Sequence, residues 1–230
     1  MRALAFSGGK DSLACWFLCR PQTVIWVDTG KNFPETLATI KIVERNCENF
    51  IRVQTDQAAQ TAEEGLPADV VPIDWTKYGQ TFTGPKPVTL QSYLGCCYAN
   101  ISAPLHAMAK KLGVTELIRG QRKDETHKGA ARDGDMVDGI RYLQPIEDWS
   151  AEQVLRFLRD HMPLPEHLFF SHSSLDCYDC TAYVNDHADR QEWMQREHPV
   201  LFAQYRTRMQ RVESALTESL KPMGSFKCKQ

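Results

Sequence analysis

Residues 3–12 confine the opening of this chain to one kind of construction. Ala3-Leu4-Ala5-Phe6 is a short apolar run, Ser7-Gly8-Gly9 follows it, and from Asp11 to Cys19 the apolar residues recur at helical spacing. That is strand, tight loop, helix. The unit repeats. Thr23 to Val27 predicts a second strand ending at Asp28-Thr29-Gly30, a helix begins near Pro34, where proline suits a first turn, and runs to about Asn46, and Phe50 to Val53 predicts a third strand. Repeated strand–helix units imply parallel strands with helical crossovers, since parallel neighbours cannot be joined by a tight turn. The expected fold is α/β, a doubly wound parallel sheet, with its ligand crevice at the carboxyl ends of the strands. Both loops fall there.

The first loop has the chemistry of an anion site. Gly8 and Gly9 let backbone amides turn toward an anion that a side chain would block, Lys10 adds a cation, and Ser7 and Ser12 add hydroxyl donors. A helix starting at Asp11 or Ser12 would aim its free amides and positive dipole end at the same group. The spacing is not that of the P-loop, with four residues between its first glycine and Gly-Lys, so the NTPase mechanism does not transfer. The plain alternative is a structural Gly-Gly turn. Asp28, at the end of the second strand, reads as a contact to a nucleotide sugar or base, with a helix-entry cap as the alternative.

Farther along, Leu66 to Tyr93 holds Pro67, Pro72, Pro85 and Pro87 with Gly79 and Gly84, and is expected to be a long active-site loop. Ile101 to Leu112 predicts a helix despite Pro104, and Thr115 to Ile118 and Ile140 to Leu143 predict strands. Ser150 with Gln153 forms a capping-box signature for a helix running to about His161, before Pro163. From Asp189 a helical tail is expected, interrupted at Pro199. We divide the chain into a nucleotide- and cluster-binding α/β domain, 1–188, and a helical C-terminal segment and tail, 189–230.

No long apolar run occurs, and Met1 to Phe6 leads straight into the glycine loop, which predicts no membrane span, no export signal and a cytoplasmic protein with reduced thiols. A net charge of −2 predicts no general attraction to nucleic acid or acidic membranes. Eight cysteines then point to ligation and chemistry more than to disulfides. Cys96 and Cys97 are adjacent, and Cys177-Tyr178-Asp179-Cys180 follows. Structural zinc sites space both cysteine pairs by two to four residues so that they wrap one small ion, and a vicinal pair fits this poorly. Adjacent thiolates more readily reach two irons of a larger cluster, provided their backbone is a turn or helix start; in a strand they would face opposite sides. An iron–sulfur cluster is preferred over zinc, and zinc over buried unligated thiols. Cys15, Cys19 and Cys47 fall in helical stretches and are expected to behave as small apolar residues, as are Trp16 and Phe17 as core. His127, His172 and His187 lack a short ligand spacing and are expected to be ordinary histidines.

Ser7-Gly8-Gly9-Lys10-Asp11-Ser12 resembles the pyrophosphate loop of the adenine nucleotide alpha hydrolase-like (PP-loop) superfamily, and Val27-Asp28-Thr29-Gly30 with Phe33-Pro34-Glu35-Thr36 resembles its sulfonucleotide (PAPS/APS) reductase branch. Gly120-Gln121-Arg122-Lys123-Asp124-Glu125-Thr126 is similar to that branch's glycine–arginine anion loop, and Gln144-Pro145-Ile146-Glu147-Asp148-Trp149-Ser150 to its Pro-Ile-x-x-Trp signature. Cys96-Cys97 with Cys177-x-x-Cys180 is similar in order and spacing to the four-iron cluster ligands of bacterial-type APS reductases. The combined pattern covers roughly Met1 to Thr181. Two departures stand out. The lysine-containing loop resembles the ATP pyrophosphatase relatives and the DNA or RNA sulfur-modifying enzymes, and the Glu-Cys-Gly-like tail motif of the reductases is replaced by Phe226-Lys227-Cys228-Lys229.

The resemblance implies a sulfonucleotide reductase that takes APS or PAPS and releases sulfite through a thiosulfonate on Cys228. A 4Fe–4S cluster on Cys96, Cys97, Cys177 and Cys180 would lie beside the nucleotide site and polarise it. Ser7, Gly8, Gly9, Lys10, Asp11 and Ser12 would hold phosphate or sulfate, and Arg122 would clamp a phosphate with Arg119 and Lys123 in support. The implied partners are the adenine nucleotide and a thiol reductant such as a thioredoxin-like protein, with a homo-oligomer compatible. The alternative is an ATP-dependent PP-loop sulfur transferase, which would use Mg2+ with ATP and act on a nucleic-acid or small-molecule acceptor. A third reading is a nucleotide and cluster sensor without catalysis.

Overall fold

The computed structural model describes residues 1–125, 129–169, 177–184 and 188–221. In chain order the elements are β1 (Arg2–Phe6), α1 (Lys10–Cys19), β2 (Thr23–Asp28), α2 (Pro34–Asn46), β3 (Asn49–Gln54), α3 (Gln57–Glu64), β4 (Leu66–Ala68), α4 (Gln80–Thr83), β5 (Leu90–Ser92), α5 (Tyr93–Cys97), α6 (Ala103–Lys111), β6 (Glu116–Ile118), β7 (Met136–Val137), β8 (Ile140–Leu143), α7 (Ala151–Arg159), α8 (Ala188–Glu197) and α9 (Pro199–Leu220). They group into two units. The first comprises 1–55 and 101–176, the second 56–100 and 177–230.

The first unit is built on a six-stranded sheet in the order β3-β2-β1-β6-β8-β7, parallel except for β7 against β8. Leu4 lies level with Val24 on one side and Ile118 on the other, so the first strand is central. The period-2 alternation of each strand fills two cores. Leu4, Phe6, Val24, Trp26 and Ile118 meet Leu13, Ile40, Val154 and Leu158 on one face, while Ala3, Ile25, Leu117 and Tyr142 meet Ala109 and Val114 on the other. Every residue of β2 is buried, as a strand covered on both faces requires. The expected doubly wound α/β sheet is the one observed. Its order reverses direction between β1 and β6, and a doubly wound sheet opens its crevice at such a reversal.

Most predicted boundaries fall within a residue or two, and the Ser150–Gln153 capping box is present in full. The stretch 66–93 differs. Instead of one irregular loop it contains β4 and β5 as a parallel pair, α4 and a 3-10 turn at Ile73–Trp75. Leu66, Ala68, Trp75, Val88 and Leu90 there join Val212 and Ala215 of α9 in a core belonging to the second unit. Strands of three residues interrupted by prolines carry too little alternation to show as a sequence period, and the long helix that covers them lies more than a hundred residues away in sequence. Accordingly α8 and α9 group with 56–100 and 177–184. No helix among the described residues is long and apolar enough to cross a membrane.

Candidate functional site

The first unit's site lies where β1 and β6 end. Gly8 has φ +83, and a Cβ there would stand 2.8 Å from Thr36 Cγ2, so both conformation and space demand glycine. Gly9 is extended and precedes α1 without a side-chain cap. Ser12 Oγ donates to Gly9 O at 3.0 Å and accepts from Ser7 N at 3.2 Å, and Ser7 Oγ accepts from Gly9 N at 3.3 Å, which closes the turn on itself. The helix thus starts at Lys10 with first-turn amides available to an anion. Lys10 is 6% exposed, its ammonium 3.7 Å from an Asp11 carboxylate oxygen.

The loop after β6 packs on this helix start. A Cβ at Gly120 would lie 2.7 Å from Asp11 C and Ser12 N, so glycine is what allows two backbones to touch. Arg122 is buried, and its Nε donates to Asp11 Oδ1 at 2.7 Å while Nη1 pairs with Asp124 and Glu125 lies 3.9 Å away. The guanidinium expected to clamp a phosphate is therefore engaged by carboxylates and ties the two loops together. Arg119 stacks over the Tyr142 ring at 5.1 Å. Lys123 pairs with Asp148 at the exposed surface. Glu125 carries no phosphate-binding expectation, yet burial, reinforced by the Asp11 charge, pushes its carboxyl up to about 7. Lys10 and Arg122 oppose that rise. Burial beside Asp11, which only the fold brings about, makes Glu125 unusual.

Asp28 is also occupied by protein groups. Its Oδ1 accepts from Gly30 N at 2.8 Å and Asn32 Nδ2 at 2.9 Å, and its Oδ2 pairs with Arg52. It closes the turn after β2 instead of capping α2, whose N-cap is Phe33. Cys15 is buried in the core, where burial drives its thiol strongly up, and Cys19 and Cys47 pack against that core, as do Trp16 and Phe17.

The four cysteines singled out from their spacing all belong to the second unit. Cys96 and Cys97 end α5, whose N-cap Ser92 accepts from Leu94 N, so the pair lies at a helix end and not in a strand; the expectation was a turn or a helix start. Asn100 Nδ2 lies 3.6 Å from Cys96 Sγ and donates to Cys96 O at 2.9 Å. Cys97 Sγ is 3.6 Å from Tyr183 Oη, three residues past Cys180. The Cys177–Cys180 turn closes with Cys180 N on Cys177 O at 3.1 Å, and the fully buried Arg190 donates to Cys177 O and Tyr178 O. Asp179, inside the turn, pairs with Arg208 of α9. Burial raises the Cys96 thiol, an effect that the Asn100 hydrogen bond and the Arg208 charge oppose.

Among the described residues no three His, Cys, Asp or Glu side chains gather tightly enough to hold one metal ion. Around tetrahedral zinc, four sulfurs would stand about 3.8 Å apart, from a Zn–S distance near 2.3 Å. The donor set still fits a wider, sulfide-rich anionic group. It has four thiols in one unit, two of them on one helix end, and the buried Nε and Nη2 of Arg208 have no acceptor among the described residues. Asn100, Asp179, Tyr183 and Arg208 escaped the sequence reading. Asn100 sits one helical turn after Cys96 and Asp179 inside the two-residue spacing, both visible in principle, whereas nothing in the sequence marks Arg208. His127, His172, His187 and Cys228 lie outside the described residues.

Comparison with known proteins bears on both sites. Residues 2–183 match the family described as the phosphoadenosine phosphosulfate reductase domain. Over 176 residues the chain is 26% identical to an adenosine 5'-phosphosulfate reductase of Deinococcus radiodurans, a match covering 72% of this chain and 59% of that protein. A crystal structure of phosphoadenylyl-sulfate reductase from Candida auris, in a phosphate complex, superposes with a TM-score of 0.51 at 16% identity, covering 76% of this chain and 80% of that one. That likeness concerns the fold.

Proposed function

Because this chain belongs to the phosphoadenosine phosphosulfate reductase family, we propose that it reduces a sulfonucleotide, APS or PAPS, to sulfite, using a protein thiol and a four-iron cluster. The observation that carries the redox assignment is the thiol set of the second unit: a vicinal pair on a helix end and a two-residue-spaced pair on a buried turn. Cys96, Cys97, Cys177 and Cys180 would hold the cluster, which supplies a fixed polarisable charge.

The chain's own groups account for the remaining steps. The uncapped start of α1, with the Ser7 and Ser12 hydroxyls and the Lys10 ammonium, would bind the phosphosulfate. Arg122 would hold the Asp11 end of that helix in place through its ion pair. The Cys228 thiolate would attack sulfur, forming an S–S bond as the bond from sulfur to the phosphate oxygen breaks and the nucleoside phosphate leaves with that electron pair. A second thiol, from a thioredoxin-like reductant, would then attack the Cys228 sulfur and expel sulfite. Two thiols are oxidised to one disulfide, which supplies the two electrons.

One observation favours a second reading. Lys10 is buried in the turn, a cation that ATP-cleaving PP-loop relatives place on the pyrophosphate, so an ATP-dependent sulfur transferase using Mg2+ remains the competing assignment. Anaerobically purified protein, given APS, PAPS and ATP separately, decides between them. Sulfite without pyrophosphate supports the reductase, and pyrophosphate from ATP supports the transferase. No turnover with any of the three would leave a nucleotide and cluster sensor. Cys228→Ser is expected to keep iron and nucleotide binding and to lose sulfite release, since a serine hydroxyl is a far weaker nucleophile at neutral pH. Full activity of that variant, with no sulfonate adduct on Cys228 by mass spectrometry, would remove Cys228 from the mechanism.

A further inference from the structure

Three polar side chains of the second unit converge on its cysteines in a way that the proposed chemistry does not use. Arg208 is the most unusual. Its side chain is 15% exposed, its Nη1 pairs with the Asp179 carboxylate between Cys177 and Cys180, and its Nε and Nη2 are buried with no acceptor among the described residues. A buried donor without an acceptor costs about 1–3 kcal/mol, more when charged, so folded proteins seldom keep one. Two such N–H groups on one guanidinium call for an acceptor that the described protein groups do not provide. In these surroundings the natural acceptor is anionic sulfur.

Tyr183 makes the same point through its backbone. It has φ +60, a left-handed conformation uncommon for a tyrosine. Asp69 holds it there, its two carboxylate oxygens accepting from Tyr183 N at 2.8 Å and Val184 N at 3.1 Å, and the Tyr93 ring packs at 4.7 Å. The result is a phenol hydroxyl 3.6 Å from Cys97 Sγ. Asn100 Nδ2 reaches Cys96 Sγ at the same distance. Each sulfur of the vicinal pair thus has its own polar neighbour.

We propose that Asn100, Tyr183 and Arg208 form the polar shell of the iron–sulfur cluster, donating N–H and O–H groups to its sulfurs, and that Arg208 sets its reduction potential. This inference rests on the cluster assignment above. Reduction adds one electron, hence one negative charge, to a group already anionic. Donors and a nearby cation stabilise the reduced form more than the oxidised one, and therefore raise the potential. They also hold the thiolates in their ligating state.

The test uses full-length protein prepared without oxygen and a mediated redox titration, with iron and acid-labile sulfide measured first. Replacing Arg208→Gln together with Asp179→Asn removes a cation and its paired anion at once and leaves no carboxylate buried without its partner, so the shift it gives reads the lost guanidinium N–H donors. That double variant is expected to load iron and to show a reduction equilibrium constant about tenfold lower, which is ~59 mV for a one-electron couple. Arg208→Lys, keeping the charge and losing the fork, is expected to fall between. Tyr183→Phe should lower the midpoint by less than the double variant does. A double variant that folds by circular dichroism yet retains no iron would also support the shell, whose donors hold the cluster. Midpoints equal to the wild type in the double variant and in Tyr183→Phe would overturn the inference. Wild-type protein that binds no iron after reconstitution would instead overturn the cluster assignment.

Discussion

Lys10 is a long, flexible cation that the fold holds almost wholly out of water at a helix start, with one carboxylate 3.7 Å away. Taking a charge from water is costly, and a phosphate or sulfate on the adjoining amides would offset that cost. Lys10→Ala is therefore expected to weaken nucleotide affinity roughly ten- to hundred-fold, the equivalent of about 1.5–3 kcal/mol for a charge-assisted hydrogen bond, while leaving the fold intact; calorimetry checks it. Glu125 makes a pH prediction. Its carboxyl is raised from 4.5 to about 7, first by burial and then by Asp11, against Lys10 and Arg122. The stability it contributes is complete below pH 4.5, where folded and unfolded chains both hold the proton, and is lost as pH rises through about 7. Ionised Glu125 also adds a carboxylate to an anion site, so nucleotide affinity should fall from pH 6 to pH 8. Glu125→Gln should flatten that dependence, and an unchanged profile in the variant would clear Glu125 of it.

At the scale of elements, what organises the nucleotide site is the contact between the start of α1 and the loop after β6. Gly120 makes it possible, since any Cβ there would meet backbone atoms of Asp11 and Ser12 that have nowhere to go. Gly120→Ala should cost about 1–3 kcal/mol as an overpacking substitution and should weaken nucleotide binding, because the helix start must shift. The capping box of α7 gives the matched control. Ser150→Ala removes an acceptor for Gln153 N, at a cost of about 1 kcal/mol, at the start of another helix. Thermal melts should register both substitutions and nucleotide titration only the first. Loss of affinity in Ser150→Ala to the same degree would mean that general destabilisation, and not the α1 contact, carries the Gly120 effect.

On the scale of the molecule, the two sites belong to different units, and the second is assembled from segments far apart in the chain: residues 93–100, 177–183 and Arg208. Metal content tests that assembly. Protein purified without oxygen is expected to carry about four iron and four sulfide per chain. Cys177→Ser should lower that content, because an oxygen ligand is a poorer partner for a soft metal site. Stoichiometric zinc with no iron, even after reconstitution, would reject the cluster and leave the thiols to another role.

The apolar run Ala3–Phe6, the Gly8–Gly9 turn and the Ser150 capping box are local patterns, and each already stood in the sequence as the structure shows it. The cysteine spacing is equally local, and the structure places all four cysteines in one unit. The β4–β5 pair and its cover by α9 were invisible, since strands of three residues have no measurable period and their core partner is remote. Arg122 read as a phosphate clamp from residue type, which gives charge but not partner, and the pairing of its Nε with Asp11 came only with the fold. The pairing of Arg208 with Asp179 and the displaced proton affinity of Glu125 arise from distances between groups that no sequence interval encodes. Short-range sterics and periodicity are properties of the chain, whereas burial and electrostatic pairing exist only once remote segments share one low-dielectric interior.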